Sequence, residues 1–161
     1  MQYEDDIEGE YRSIRSYLPV NCVAIWDIGC GVGGIDVFLY HHYQGVLLFL
    51  TDFDEISPKL YYGFKQKAAH YNSLSETRDL LSANGVSTSI MKFIPVMGNP
   101  DRKVDLVVSL YSWGYHYPVE EYIDRVYAQL SHGGKLVLDV RANTSGISVL
   151  ESYFGKNSLY V

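Results

Sequence analysis

Apolar residues come in short, dense runs closed by glycines and acids, and these runs alternate with stretches of helical spacing. Val23-Ala24-Ile25-Trp26 leads into Asp27-Ile28-Gly29, and Val46 to Leu50 leads into Thr51-Asp52. Ser89 to Ile94 and Val104 to Leu110 are two further runs. Continuous apolar runs of this length are the signature of strands buried on both faces. Lys135 to Val140 reads as a fifth strand after a turn at His132-Gly133-Gly134, and Ser158 to Val161 as the start of a sixth. Between them lie helical patterns. Ile7, Tyr11, Ile14 and Leu18 recur at helical spacing until Pro19, which predicts an amphipathic helix or lid within residues 1–20. Ile35 to Tyr40 predicts a helix stopped by Gly45. Residues 57–84 read as one helix or two, with Ser57-Pro58 as a start, Asn72 or Ser73 as a second cap and Glu76 completing a capping box on Ser73. Asn84-Gly85 is the stop signal. Pro118 to Leu130 and Ile147 to Phe154 complete the set. Strands alternating with helices predict a three-layer α/β fold, an open and mostly parallel sheet of five or six strands with helices on both faces.

The 161 residues suit one domain, and no linker, repeat or low-complexity segment divides them. The net charge of −6, without any basic run, argues against gripping a phosphate backbone, so nucleic acid is not an expected partner. No apolar stretch approaches the ~18 residues of a membrane span. The acidic start, Met1-Gln2-Tyr3-Glu4-Asp5-Asp6, lacks the apolar core of a secretory signal. Cys22 and Cys30 make neither a disulfide framework nor a four-ligand metal site. The expectation is a cytoplasmic protein with reduced thiols. Tyrosine, at fifteen residues, is the unusual count; its ring buries large area and its hydroxyl can meet a ligand.

The chemistry concentrates where the first strand ends. In Asp27-Ile28-Gly29-Cys30-Gly31-Val32-Gly33-Gly34, the residues Gly29, Gly31 and Gly34 satisfy G-x-G-x-x-G. Between a strand and a helix, glycines allow a tight turn and let backbone approach a ligand. Asp52, nineteen residues after Gly33, ends the second strand, where an acid can take both ribose hydroxyls of an adenosine cofactor. That ribose is common to NAD and S-adenosylmethionine (SAM). Asp27 discriminates: a carboxylate beside the loop repels a pyrophosphate and attracts the ammonium and sulfonium of SAM.

Trp26-Asp27-Ile28-Gly29-Cys30-Gly31-Val32-Gly33 resembles the first motif of the class I SAM-dependent methyltransferases, whose core is Rossmann-like. Leu50-Thr51-Asp52 resembles that family's acidic end of the second strand, and Val104 to Ser109 its fourth strand. His132-Gly133-Gly134-Lys135-Leu136-Val137-Leu138 is similar to its Pro-Gly-Gly turn and fifth strand, with His132 in the proline's place. The resemblance spans residues 23–141. It implies that Asp27, Gly29, Cys30, Gly31 and Gly33 line the amino-acid end of SAM. It also implies that Asp52 holds the ribose, that Phe53 stacks near the adenine, and that Ser109 and Leu110 floor the transferable methyl. Met97-Gly98-Asn99 stands where the family often has an acid that meets the adenine amine. The family's sheet usually continues to a sixth and seventh strand. An open sheet edge invites a second copy or a partner subunit.

Tyr111-Ser112-Trp113-Gly114-Tyr115-His116-Tyr117 leaves the fourth strand at the same end of the sheet. These aromatics are candidates to wall an acceptor site, with Trp113 and Tyr117 equally suited to packing helix against sheet. His116 is the candidate general base and Tyr115 its companion. Tyr11 or Tyr17 could close over the cofactor from the N-terminal helix. His41 and His42 are read as surface groups at a helix end, and Glu4, Asp5, Asp6 and Glu8 as a solvated face. No Asn-Pro-Pro-Tyr-like tetrapeptide follows the fourth strand, so a base amino group is not the expected acceptor. The expected function is methyl transfer from SAM to the oxygen or nitrogen of a small molecule. Two alternatives stand beside it, a non-catalytic SAM-binding subunit that needs a partner and an NAD-dependent oxidoreductase.

Overall fold

The computed structural model describes residues 2–54 and 73–160. Five strands form one sheet: β1 (Ala24–Ile28), β2 (Leu47–Thr51), β3 (Met91–Phe93), β4 (Val104–Ser109) and β5 (Leu130–Leu138). Their order is β3-β2-β1-β4-β5 and every pairing is parallel. The apolar runs at β1, β2 and β4 are buried on both faces, as their composition demands. The α-helices are α1 (Gln2–Ile14), α2 (Gly34–Tyr43), α3 (Leu74–Ala83), α4 (Ile123–Gln129) and α5 (Gly146–Phe154). Alternation along the strands sends Ile25, Leu48, Leu50, Leu106 and Val108 toward residues of α1, α2 and α3. Trp26, Phe49 and Val107 face the other way, against Trp113, α4 and α5. Asp27, two residues beyond Ile25, therefore points to the face that α2 covers.

Chain order reverses between β1 and β4. In an open α/β sheet that switch point opens a crevice at the carboxyl ends of the strands. The opposite end is tied shut by Asp105. Its Oδ2 accepts the N–H groups of Val23 (2.9 Å) and Ala24 (3.3 Å), and its Oδ1 accepts the Ser131 hydroxyl at 2.9 Å. The buried indoles are satisfied: Trp26 Nε1 donates to Thr51 Oγ1 at 2.9 Å and Trp113 Nε1 to the Val119 carbonyl at 3.0 Å.

Several expectations need correction. β5 begins at Leu130, before the glycines. Its register jumps from Val104 opposite Leu130 to Leu106 opposite Lys135, so residues 131–134 bulge out of the ladder instead of preceding it. The third strand is only three residues long, because Thr88–Ile90 form a 3-10 turn on Ser87, whose Oγ accepts the Ser89 N–H. The helix expected over 118–130 divides into a 3-10 turn, Val119–Glu121, and α4. The break sets Tyr122 in the core, 5.9 Å from the Trp113 ring. No sixth strand forms among the described residues: Lys156–Ser158 is a 3-10 turn and Tyr160 is exposed. Ser73 does cap α3, but its hydroxyl pairs with Ser75 Oγ at 2.6 Å and makes no capping box with Glu76. The start expected at Ser57-Pro58 lies outside the described residues. No described helix is long and apolar enough to cross a membrane.

Candidate functional site

The loop after β1 is built for close approach. Gly29, Gly31 and Gly33 have φ of +82°, +54° and +81°, a left-handed backbone that side-chain-bearing residues rarely adopt. A Cβ on Gly29 would lie 1.9 Å from Ser112 Oγ, and one on Gly33 would press on Thr77 at 3.1 Å. At Gly31 a Cβ would meet nothing, so the loop faces open space there. Hydrogen bonds from neighbouring elements hold the loop. Gly29 N–H donates to the Thr51 carbonyl (2.7 Å), Gly31 N–H to Asp52 Oδ2 (2.7 Å), and Thr77 Oγ1 to the Gly31 carbonyl (2.7 Å).

Above the loop is a cavity of about 210 Å³. Asp27, Gly29, Cys30 and Gly31 line it from below, Leu110 and Tyr111 from the β4 side, and Tyr3, Ile7 and Glu10 of α1 from above. The N-terminal helix is thus a cover, but not through the tyrosines expected. Tyr11 stacks on Phe38 at 5.3 Å and pairs with His42 Nδ1 at 2.7 Å, while Tyr17 is exposed. Tyr3 takes that place, its hydroxyl lying where a Cβ on Gly34 would come to 2.5 Å. His41 reaches the Asn84 carbonyl at 3.1 Å, so both histidines serve helix packing.

The charged groups that line the cavity, Asp27 and Glu10, are both acids. Asp27 is 2 % exposed, and burial, Asp36 and Asp52 all raise its pKa well above the ordinary range. Asp36 of α2 is 0 % exposed, and apart from the Asp27 carboxyl its oxygens have no hydrogen-bond partner. Burial pushes its carboxyl up to about 7, although a hydrogen bond from Asp27 pulls the other way. No motif in the sequence marks this residue as part of the site. Burial and the same acids keep the Cys30 thiol protonated, so it is a wall and not a nucleophile. Burial, then Asp139 and Asp6, raise Glu10. No described lysine or arginine lines the cavity.

The other candidates are distributed around this cavity. Asp52 accepts the Gly31 and Phe53 N–H groups, the latter at 2.6 Å. The Phe53 ring stands 6.2 Å from that of Tyr117, whose hydroxyl is buried without a partner. Residues 55–72, which follow, lie outside the described residues. Ser109 is fully buried, donating to the Ile28 carbonyl (2.6 Å) and accepting the Trp113 N–H (3.0 Å), so its hydroxyl serves the fold. Trp113 is core and no part of an acceptor wall. Tyr115 and His116 do not line the cavity but adjoin it. Tyr115 meets Tyr111 edge-on at 5.5 Å and His116 at 5.2 Å. Burial and Arg141 lower the pKa of His116 and favour its neutral form. Tyr111 is the aromatic that reaches the cavity, with a left-handed φ of +54° and its N–H on Asp139 Oδ2 at 3.1 Å.

The buried acids give stability a definite pH dependence. An unfolded aspartate ionises near pH ~4, whereas the folded Asp36 holds its proton to about 7. Between these values the native state binds more protons, so stability falls as pH rises. The loss is up to about 1.4 kcal/mol per pH unit across that window. Asp36→Asn removes it. The variant is expected to melt near the wild type at pH ~4 and clearly above it at pH ~8. A gap that does not grow with pH contradicts this assignment.

No protein-family profile and no curated protein sequence matches the chain. Solved structures do. Precorrin-6y C5,15-methyltransferase from Geobacter metallireducens GS-15 aligns with a TM-score of 0.61 at 20% identity, over 89% of this chain and 69% of that one. Magnesium protoporphyrin IX methyltransferase from Synechocystis PCC 6803, with S-adenosylhomocysteine bound, aligns with a TM-score of 0.54 at 20% identity, over 93% and 61%. A SAM-dependent methyltransferase from Thiobacillus denitrificans, in complex with S-adenosyl-L-homocysteine, aligns with a TM-score of 0.53 at 18% identity, over 82% and 46%. In the latter two the chain spans less than two thirds of the matched protein. The sheet order, the glycine loop and these alignments agree that the chain has the fold of the SAM-dependent methyltransferases.

Proposed function

We propose that the chain binds SAM at the switch point between β1 and β4 and transfers its methyl group to the oxygen or nitrogen of a small, ring-bearing acceptor. The observation that carries this reading is the acidic cavity above a bare glycine loop. Asp27 and Glu10 line it, with Asp36 beside Asp27 and without a lysine or arginine in the lining, which suits a ligand with cationic groups and opposes a pyrophosphate. The cavity of about 210 Å³ matches one end of such a ligand. Asp27 would receive its ammonium, and the Asp52 carboxylate, which holds the loop at Gly31, its ribose hydroxyls.

Bound SAM would supply a methyl group already activated by positive sulfur. This chain's residues orient and enclose. Tyr3 and Ile7 cover the loop from one side. Tyr111 and Tyr115 offer ring edges to an acceptor. Holding nucleophile and methyl in line contributes up to roughly 7–11 kcal/mol in ideal cases. His116, favoured in its neutral form, is the group suited to take a proton from a hydroxyl acceptor, and Glu10 is the acid that α1 brings to the same cavity.

Calorimetric titration tests the assignment. SAM and S-adenosylhomocysteine are expected to bind with micromolar affinity and NAD not at all. Binding of NAD alone overturns the reading. SAM binding without methyl transfer to any acceptor would favour a non-catalytic subunit instead.

A further inference from the structure

Asp36 is a carboxylate for which packing gives no reason. It lies in the first turn of α2, 0 % exposed, with no hydrogen-bond partner but the Asp27 carboxyl. An apolar side chain there would simply continue the buried face of Leu39, and burying a carboxylate instead is costly. Its functional neighbour is Asp27, with which it hydrogen-bonds once either holds a proton. Two carboxylates in contact away from water do not both ionise, so the pair keeps at least one proton. Asp27 is also the member that lines the cavity.

We propose that Asp36 is the second acidic arm of the cofactor seat: a ligand ammonium docking on Asp27 replaces a proton that the pair holds, and that proton leaves to solvent. The inference rests on the SAM assignment above and goes beyond it, making Asp36 a positioning residue that tunes Asp27 for a cation. A neutral ligand group at that place would leave the proton where it is. The bookkeeping is one cation in and one proton out, so affinity should rise about tenfold per pH unit while the pair holds its proton, then level off.

Other titratable groups face the pair. They are Tyr3 and Glu10 on α1, with Asp6 beyond Glu10, Cys30 in the glycine loop, and Asp52 after β2. Burial raises Tyr3 and Cys30, which keep their protons throughout the neutral range. Glu10 is separated by its own variant.

The test is titration of the full chain with S-adenosylhomocysteine near pH ~6 in two buffers of very different ionisation enthalpy. The wild type is expected to release close to one proton per bound ligand. Asp36→Asn removes one of the groups that raise Asp27 and leaves its burial, so it is expected to release clearly less and to bind with a shallower dependence on pH, and Glu10→Gln to keep the release. Heats independent of buffer in the wild type overturn the inference while leaving the cofactor assignment intact. So does a release undiminished in Asp36→Asn or lost in Glu10→Gln. Absence of binding in the wild type removes the cofactor assignment, and this inference with it. The wild-type comparison needs no variant to fold.

Discussion

Gly29→Ala is expected to abolish ligand binding and to cost roughly 2–5 kcal/mol of stability. Two independent effects add. The residue sits at φ +82°, where a Cβ meets the following backbone and costs about 1–2 kcal/mol. That Cβ would also lie 1.9 Å from Ser112 Oγ and 2.2 Å from Ser112 Cβ. Ser112 has little freedom to retreat, because its carbonyl accepts the N–H groups of Tyr115 (3.1 Å), His116 (2.7 Å) and Tyr117 (3.4 Å). Moving it means moving the aromatic segment. Overpacking of this kind costs about 1–3 kcal/mol. Denaturant melts of Gly29→Ala, Ser112→Gly and the double variant separate the two parts. The double variant should recover the steric share and keep the conformational one. A Gly29→Ala protein as stable as the wild type would mean that the loop is not packed as described.

Asp52→Ala is expected to weaken SAM binding at least about 100-fold. Its carboxylate accepts the Gly31 N–H at 2.7 Å and the Phe53 N–H at 2.6 Å, which fixes the loop and the end of β2 relative to one another. Hydrogen bonds to a charged group contribute about 1.5–3 kcal/mol each. Losing the two proposed ribose contacts therefore exceeds the ~2.7 kcal/mol that corresponds to 100-fold. The Gly31 N–H loses its acceptor as well. Asp52→Asn keeps one carbonyl oxygen and should fall between the two. Calorimetry on the three proteins reads this order directly; equal affinities would place the ribose elsewhere.

Gly29 and Asp52 are legible in the sequence because their signals are local. A glycine cluster closing an apolar run, and an acid closing the next, need only the chain order. β1, β2 and β4 are equally plain, each an apolar run with its own terminator. What the sequence hides is set by contacts between residues far apart in the chain. The bulge at residues 131–134 follows from Asp105, which binds Ser131 across 26 positions and draws β5 into register before its glycines. The division of the 118–130 helix follows from Tyr122 packing on Trp113. Tyr3 and Glu10 become cavity residues only because α1 lies over Gly34. Asp36 does leave a trace. It interrupts Ile35-Asp36-Val37-Phe38-Leu39 and shares a helix face with Leu39 three residues on, the face that packs inward. An acid in a first helical turn reads most simply as a partner of the helix dipole, and that explanation conceals its burial. Likewise the chemistry of Tyr115 and His116 makes them the natural candidates, whereas the backbone turn at Tyr111 decides which ring reaches the cavity.

Asp105 gives the sheet a polarity of worth. At the amino ends of the strands, one acid satisfies three donors and draws β1 and β5 onto β4. At the carboxyl ends, Asp27 and Asp36 crowd together at the expense of the folded state. Drift toward greater robustness would therefore erode the second group first and spare the first. A lineage that kept Asp36 through such drift would be keeping it for what it binds.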